Sequence, residues 1–556
     1  MKNRKFLLLP LLALFLTGCG FSPFDLLSNL FGDSSEYYSR DDSYYNPSTS
    51  YSEIVNESIS VISKDDSYVP KKENIDATYK DLCSHLIYST DSMPSEGTVN
   101  VLVIPVWFTD STEHISASGS SSTKKNKDQV RVDIRNAFFG DEKTDDVSWK
   151  SVKSYYHDAS YGKLNIEGVV TGWYNTNNSV TKYSTSDSTI RLTKDAVTWA
   201  KNTYASQIDF KTYDADNNGY LDCVCLIYGY HNSSYKAGGW GGRPSRGNDN
   251  LWAYTYWVQE KTLNSKTNPG VNTFLWASYD FMYAEYSGGT NTDEGKVDAH
   301  TYIHEMGHCM GLEDYYDYSG KTCPAGAFTM QDYNVGGHDP YSRMALGWVN
   351  PYVPTGDCEI TINSFNSSGD IILLSPNFAN SAFDEYVLLE LYTPDGLNDF
   401  DSDTDWQRGY PTGSRKSGIR IWHVDSRLLE YKTYPRSEDE GYEISRTLNK
   451  NYYYHLGLSN TTYAQGSESY TSISPALRQY SLLYLVRNST TKRYPAGEKD
   501  YFKEADLFKQ GDTFSLGEFS GQFVNTDKLD NGLVLPFNIT VKSLSDTSAT
   551  ITIEMD

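Results

Sequence analysis

Apolar and polar positions divide the chain into regions of different texture. Residues 20–97 are rich in Ser, Asp, Asn and Tyr and hold few apolar runs. Such a stretch buries too little apolar surface to offset the entropy of ordering. A mostly disordered tether is therefore expected over 19–97, with a short helix near 79–88 and no core. Order is predicted to begin at residues 99–108 (VNVLVIPVWF), a near-continuous, β-branched apolar run of the kind that forms a strand buried on both faces. Residues 148–157 and 189–204 read as helices, the second with Ile190, Leu192, Ala196 and Trp199 broadly on one side. Strand character recurs at 164–173, 251–258 and 274–286, and 223–228 (CVCLIY) reads as a central strand. From about residue 352 the pattern becomes short alternating segments separated by Gly, Asn, Asp and Ser, among them 358–362, 371–374, 386–392, 419–424 and 547–554. That pattern predicts an all-β, sandwich-like domain over 352–556 behind a mixed unit over 98–351, an α+β chain in all. The polar stretch 437–474 reads as a long insertion, and the Gly-rich 238–242 as a loop bordering a cleft.

The N-terminus sets the compartment. Lys2, Arg4 and Lys5 precede an apolar run from Phe6 to Leu16 that is too short for a stable membrane span. It ends in Leu16-Thr17-Gly18-Cys19, which resembles the lipobox of bacterial lipoproteins. Residues 1–18 are thus expected to be a signal peptide, with Cys19 lipidated and the protein held at the cell surface on the bacterial membrane; the alternative is plain secretion. No other stretch reads as transmembrane. Acidic residues outnumber basic ones, 72 to 48, which argues against nucleic acid or an anionic membrane surface as partner. Membrane contact is expected through the lipid alone. Tyrosine, at 46 residues, suits β-rich structure with aromatic faces. The other cysteines are Cys83, Cys223, Cys225, Cys309, Cys323 and Cys358, too few for a disulfide scaffold in a chain of this length. Cys223 and Cys225 should share a strand face, Cys309 and Cys323 are a candidate bridge, and Cys83 reads as a linker residue.

Chemistry is concentrated at 304–314 (HEMGHCMGLED). On a helix His304 and His308 lie one turn apart and can aim ring nitrogens at one point, a geometry suited to Zn²⁺. Glu305 stands beside them to accept a proton from water. Gly311 permits a left-handed turn, past which Asp314 can return as third ligand and leave one position open. His300 lies one turn earlier on the same face and reads as a supporting or surface histidine, because three ligands already complete the set. A second constellation spans 214–222 (DADNNGYLD), where oxygen side chains at positions 1, 3, 5 and 9 and Gly at 6 match most of a calcium loop. Asp214, Asp216, Asn218 and Asp222 would give side-chain oxygens and Tyr220 its carbonyl. Position 12 is Cys225 rather than Glu, so the loop is not a complete EF-hand, and an Asx-rich turn is the alternative.

These residues, together with 151–164, 344–351, 385–391, 418–425 and 536–554, resemble the immune inhibitor A-type metalloproteases, secreted bacterial zinc peptidases. The resemblance covers about residues 98–556. It implies a zincin fold with a mixed sheet above two helices, followed by the β-sandwich-like domain, and endopeptidase activity on proteins or peptides. Metzincins place a methionine turn below the metal, the role expected of Met330, and Tyr333 is the candidate donor to the transition state. The rival reading is an adhesion or binding lipoprotein on an inactive protease scaffold; hydrolysis of a non-peptide amide or ester is a third. The chain shows no phosphate loop, nucleophile elbow or basic nucleic-acid patch.

Overall fold

The computed structural model describes residues 70–83, 93–115, 124–140, 147–230, 251–283, 296–317, 322–404, 410–431, 443–456, 460, 480–493 and 500–556. The signal segment, Cys19, most of the tether, the loop at 238–242 and most of the insertion at 437–474 lie outside the described residues. Among the described residues no helix is long and apolar enough to cross a membrane.

The first sheet is built on β1 (Gly97–Trp107), which pairs in parallel with β2 (Leu164–Val170) and with the short β3 (Tyr174–Asn175) along one edge. On its other edge β1 pairs in parallel with β4 (Cys223–Tyr228). The order then runs to β6 (Thr273–Ser278), parallel to β4, and ends on β5 (Tyr254–Trp257), antiparallel to β6. The apolar run of β1 is continuous because both of its faces are covered. Leu102, Ile104 and Val106 point into a core shared with Val224, Leu226, Phe274 and Trp276. Val99, Val101 and Val103 point into another, shared with Cys223, Cys225, Ile227 and Leu275. A strand with period-two side chains can serve two cores only if both parities are apolar.

Helices fill the two sides. The expected helices at 148–157 and 189–204 are α3 (Val152–Ala159) and α4 (Ser186–Thr203), and their starts are set by caps rather than by periodicity. Ser151 and Thr185 accept from the amides of Ser154 and Ser188, satisfying N–H groups that a helix start leaves open. Leu192, Ala196 and Ala200 of α4 cover one face of the sheet. The helices α2 (Lys127–Phe139), α3 and α5 (His300–Cys309) cover the other. The strand expected over 274–286 stops at Ser278, whose hydroxyl accepts from the amide of Asp280 and starts a 3-10 turn, Tyr279–Met282.

The β-rich part holds two four-stranded antiparallel sheets. One is ordered β8 (Ile371–Leu374), β9 (Glu385–Tyr392), β10 (Gly418–Asp425), β11 (Leu483–Val486). The other runs β7 (Cys358–Asn363), β14 (Ser548–Met555), β13 (Phe537–Leu544), β12 (Thr513–Ser515). Val387, Leu389, Ile419 and Ile421 face the second sheet and enclose a core with Ile539, Ile551 and Ile553. Leu388, Trp422, Val424 and Leu485 on the opposite face join the core of the first unit. The pattern changes at 352, but the packed interior does not break there.

One expectation is corrected. Residues 70–83 and 93–97 are not free of core. In α1 (Tyr79–Cys83), Tyr79, Leu82 and Cys83 are buried, as is Met93. Lys72 bridges to Tyr352, Asp76 N–H donates to Asn380 O, and Met93 N–H donates to Cys309 O at 2.8 Å. The segment was misread because its apolar residues are sparse; here they pack against the end of α5 and need no periodic run of their own. Leu82→Ala should therefore lower stability by about 2–5 kcal/mol, the cost of a cavity in a packed core. A denaturant midpoint unchanged to within about 0.5 kcal/mol, as for a surface residue, would place Leu82 outside the core.

Candidate metal centre

Helix α5 ends where its sequence allows it to turn. Met310 and Gly311 donate to Gly307 O and His308 O, and Gly311 takes φ +104°, a conformation glycine enters without steric cost. A Cβ at Gly311 would also stand 2.9 Å from Cys83 Sγ, so the α1 segment packs directly against this turn. The reversal returns Asp314 to the helix face that carries His304 and His308. His304 Nε2 lies 2.9 Å from Asp314 Oδ1, His308 Nε2 lies 3.2 Å from the same oxygen, and the two Nε2 atoms are 3.1 Å apart. The three side chains form one compact group of ligand atoms. Bonds of about 2.0–2.1 Å to a tetrahedral ion need donors about 3.4 Å apart, so this N₂O set fits zinc after a few tenths of an ångström of adjustment.

Both imidazoles are oriented from behind. His304 Nδ1 is 2.8 Å from Met330 O and His308 Nδ1 is 2.7 Å from Leu312 O, so each ring donates N–H to a carbonyl and turns Nε2 toward the centre. Burial alone would push the Asp314 carboxyl up, but the two histidines outweigh it and hold the carboxyl far below the usual range. Asp314 in turn overcomes the burial of His308 and raises that imidazole to about 10. The cluster attracts positive charge, so a metal there must displace protons and will bind less well in acid.

Glu305 follows His304 and is fully buried. Thr255, on the edge strand β5, donates its hydroxyl to Glu305 O at 2.8 Å and sits 3.3 Å from Glu305 Oε2. Met330 opens the short helix α6 (Met330–Tyr333), buried, and its carbonyl is the group that touches a ligand. Tyr333 packs among Tyr316, Tyr410 and Tyr501, where burial, then Cys323 and Asp332, raise its phenol above the ordinary value. Gln331 approaches closely enough that a Cβ at Gly307 would fall 2.3 Å from its Oε1, which explains the glycine inside the motif. The same Oε1 meets His338 Nε2 at 3.2 Å, and His338 Nδ1 meets Tyr155 Oη at 2.8 Å. Thr255, Gln331 and His338 carried no local signal in the sequence; only the fold brings them here.

His300 is neither a ligand nor a surface group. Its Nδ1 lies 2.8 Å from Asp298 Oδ1, its Nε2 lies 3.2 Å from Asp401 Oδ2, and its ring stacks on Trp149 at 4.2 Å. Burial disfavours the imidazolium, but the two carboxylates outweigh burial and raise it to about 10. The proposed pairing of Cys309 with Cys323 is also corrected. Cys309 Sγ lies 3.4 Å from Cys223 Sγ, across the contact of α5 with β4, and no disulfide joins the six cysteines among the described residues. Cys223 and Cys225 do share a face, with sulfurs 3.9 Å apart.

In the 214–222 loop, Asp214, Asp216 and Asp222 offer oxygens within 4.8 Å of one another. Asn218 behaves differently, since its Oδ1 accepts from Tyr220 N–H at 2.8 Å and its Nδ2 donates to Asp216 at 3.0 Å. Burial, with Asp216 and Asp214 adding to it, pushes Asp222 up to about 8 despite the amide of Ala215. A cation among these oxygens, or a proton on Asp222, would relieve the repulsion among the three carboxylates.

A parallel sheet with one antiparallel edge, carrying an H-E-x-x-H helix and a returning carboxylate, defines a metallohydrolase. Residues 89–335 match the family model for the immune inhibitor A peptidase M6 catalytic domain, a match that supports a metallopeptidase. Comparison with curated proteins yields no match.

The buried His300 pair makes stability pH-dependent. A raised folded pKa means its contribution is complete below about pH 6.5 and is lost as pH climbs through about 10. His300→Asn should cost about 3–5 kcal/mol near neutrality by leaving two buried carboxylates uncompensated, and the gap between variant and wild type should narrow toward about pH 10. Denaturation midpoints across that range would measure it, and a gap independent of pH would show that His300 is not charged.

Proposed function

We propose that the protein is a zinc endopeptidase acting on extracellular proteins or peptides, exported and held at the bacterial surface by lipid on Cys19. The observation that carries the reading is the convergence of His304, His308 and Asp314 on one point, with Glu305 alongside, buried and bonded through its main-chain carbonyl to Thr255. His304, His308 and Asp314 would hold zinc, which would supply an acidified water and a Lewis acid for the scissile carbonyl. Glu305 accepts the proton of the attacking water and returns it to the leaving amine. Thr255 holds the backbone of Glu305 in place, and the carbonyls of Met330 and Leu312 keep both imidazoles in the tautomer that presents Nε2. Tyr333 is the side-chain donor proposed to share the developing negative charge. The edge strand β5 beside Glu305 favours peptides over small amides, because an extended chain can be aligned along a strand edge by main-chain hydrogen bonds.

We further propose that Asp214, Asp216 and Asp222, with Asn218 and the Tyr220 carbonyl, hold a structural Ca²⁺ ahead of β4. Calcium added to chelator-treated protein should raise its melting temperature by several degrees, and Asp222→Asn should abolish the rise. An equal rise in the variant would assign the calcium to another place.

Glu305→Gln should retain zinc and lose about 10²–10⁴-fold in casein cleavage, the usual worth of a general base. Wild-type cleavage should be abolished by 1,10-phenanthroline and restored by Zn²⁺. Undiminished cleavage by the variant would remove Glu305 from the role, and insensitivity to the chelator would remove the metal.

A further inference from the structure

A second cluster of ligand-type side chains lies at one end of the β-sandwich, outside the segment matched by the peptidase family model. Glu385 begins β9 and His423 lies near the end of β10. The register sets His423 opposite Val387 and Asp425 opposite Glu385, so all three polar residues share the face turned toward the second sheet. The loop leading to β13 closes over them. There Asp530 N–H and Asn531 N–H donate to the two oxygens of Glu385 at 2.5 and 2.7 Å. Glu385, His423 and Asp530 each offer one ligand atom within 4.8 Å of the others, and all three are buried.

One separation matches the first cluster. His423 Nε2 lies 2.9 Å from Glu385 Oε1, the same separation as His304 Nε2 from Asp314 Oδ1. Asp530 is 1% exposed, and its Oδ1 has no hydrogen-bond partner. A buried carboxylate oxygen without a donor is costly unless a cation meets it. Charge points the same way. Glu385, Asp425 and Asp530 are three carboxylates, against which Arg427 is bidentate on Asp425 and 3.3 Å from Glu385, with the charge of Arg493 also acting on Asp530. One divalent ion would neutralise the remainder.

We propose that Glu385, His423 and Asp530 form a second zinc site, structural rather than catalytic, that ties the loop before β13 to the β9–β10 pair. An imidazole beside two carboxylates selects zinc-type ions over Ca²⁺ or Mg²⁺, which take oxygen donors. The competing occupant is the proton. Burial pushes Asp530 far above the usual carboxylate range, and Asp530 and Glu385 raise His423 despite its burial, so two protons could balance the same charge.

The test is zinc content per chain, measured by elemental analysis on the full chain after equilibration with Zn²⁺ and removal of excess. Wild type should hold two equivalents, Asp530→Asn one and His308→Ala one, with His423→Gln as the second probe should the Asp530 variant fail to fold by circular dichroism. One equivalent in wild type and in Asp530→Asn, with none in His308→Ala, would overturn this site and leave the catalytic one standing. One equivalent in wild type and His308→Ala, with none in Asp530→Asn, would do the reverse. No zinc in wild type would overturn both.

Discussion

A charge inside a protein needs an opposite charge at close range, because removing an ion from water costs several kcal/mol that only a well-placed partner returns. That requirement shapes this molecule at point after point. Asp314 is balanced by two imidazoles and, on the proposed reading, by a metal. Asp298 and Asp401 close on His300 from two sides. Glu390 pairs with Arg420 at 2.7 Å, both buried. The pairs of Asp401 with His300 and of Glu390 with Arg420 join segments well separated in the chain, so satisfying those charges also fixes how the parts are assembled.

The consequence is clearest at α5. Its first turn carries His300, its later turns carry His304 and His308, and the acid that closes on His300 comes from residue 401, beyond the point where the β-rich region begins. Asp401 also accepts the Gly336 amide at 2.6 Å and so grips the segment just after α6. The β8–β9–β10–β11 sheet adds apolar contact to this polar one, with Leu388 and Trp422 buried in the same core as Met306 and Ile303. The β-rich region is therefore part of the frame that holds the ligand helix. From the opposite side, α1 packs on the Gly311 turn and Met93 ties to Cys309.

Preorganisation follows from that frame. Ligand rings held by Met330 O and Leu312 O, with Gln331 seated against Gly307, have few rotamers left to lose when a metal arrives. Glu305 is similarly restricted, its main-chain carbonyl held by Thr255 from a strand and not from a loop.

What could be read from the chain alone was whatever is written in local spacing. The two-face strand read at 99–108, the central strand 223–228, the switch to short strands near 352, the histidine pair four residues apart and the glycine that turns Asp314 back are all properties of neighbouring residues. Their physics is that of one helix turn or one pleat. What only the tertiary structure decided depends on residues far apart. Buried Tyr79, Leu82 and Met93 in a stretch that looks like a tether, Thr255 on Glu305, Asp401 on His300, Cys223 rather than Cys323 beside Cys309, and Asp530 over Glu385 and His423 have no signature in spacing. The reason is common to all of them. A side chain's charge and its burial are settled by what the fold brings against it, and a linear pattern records only the half of each contact that the residue itself supplies.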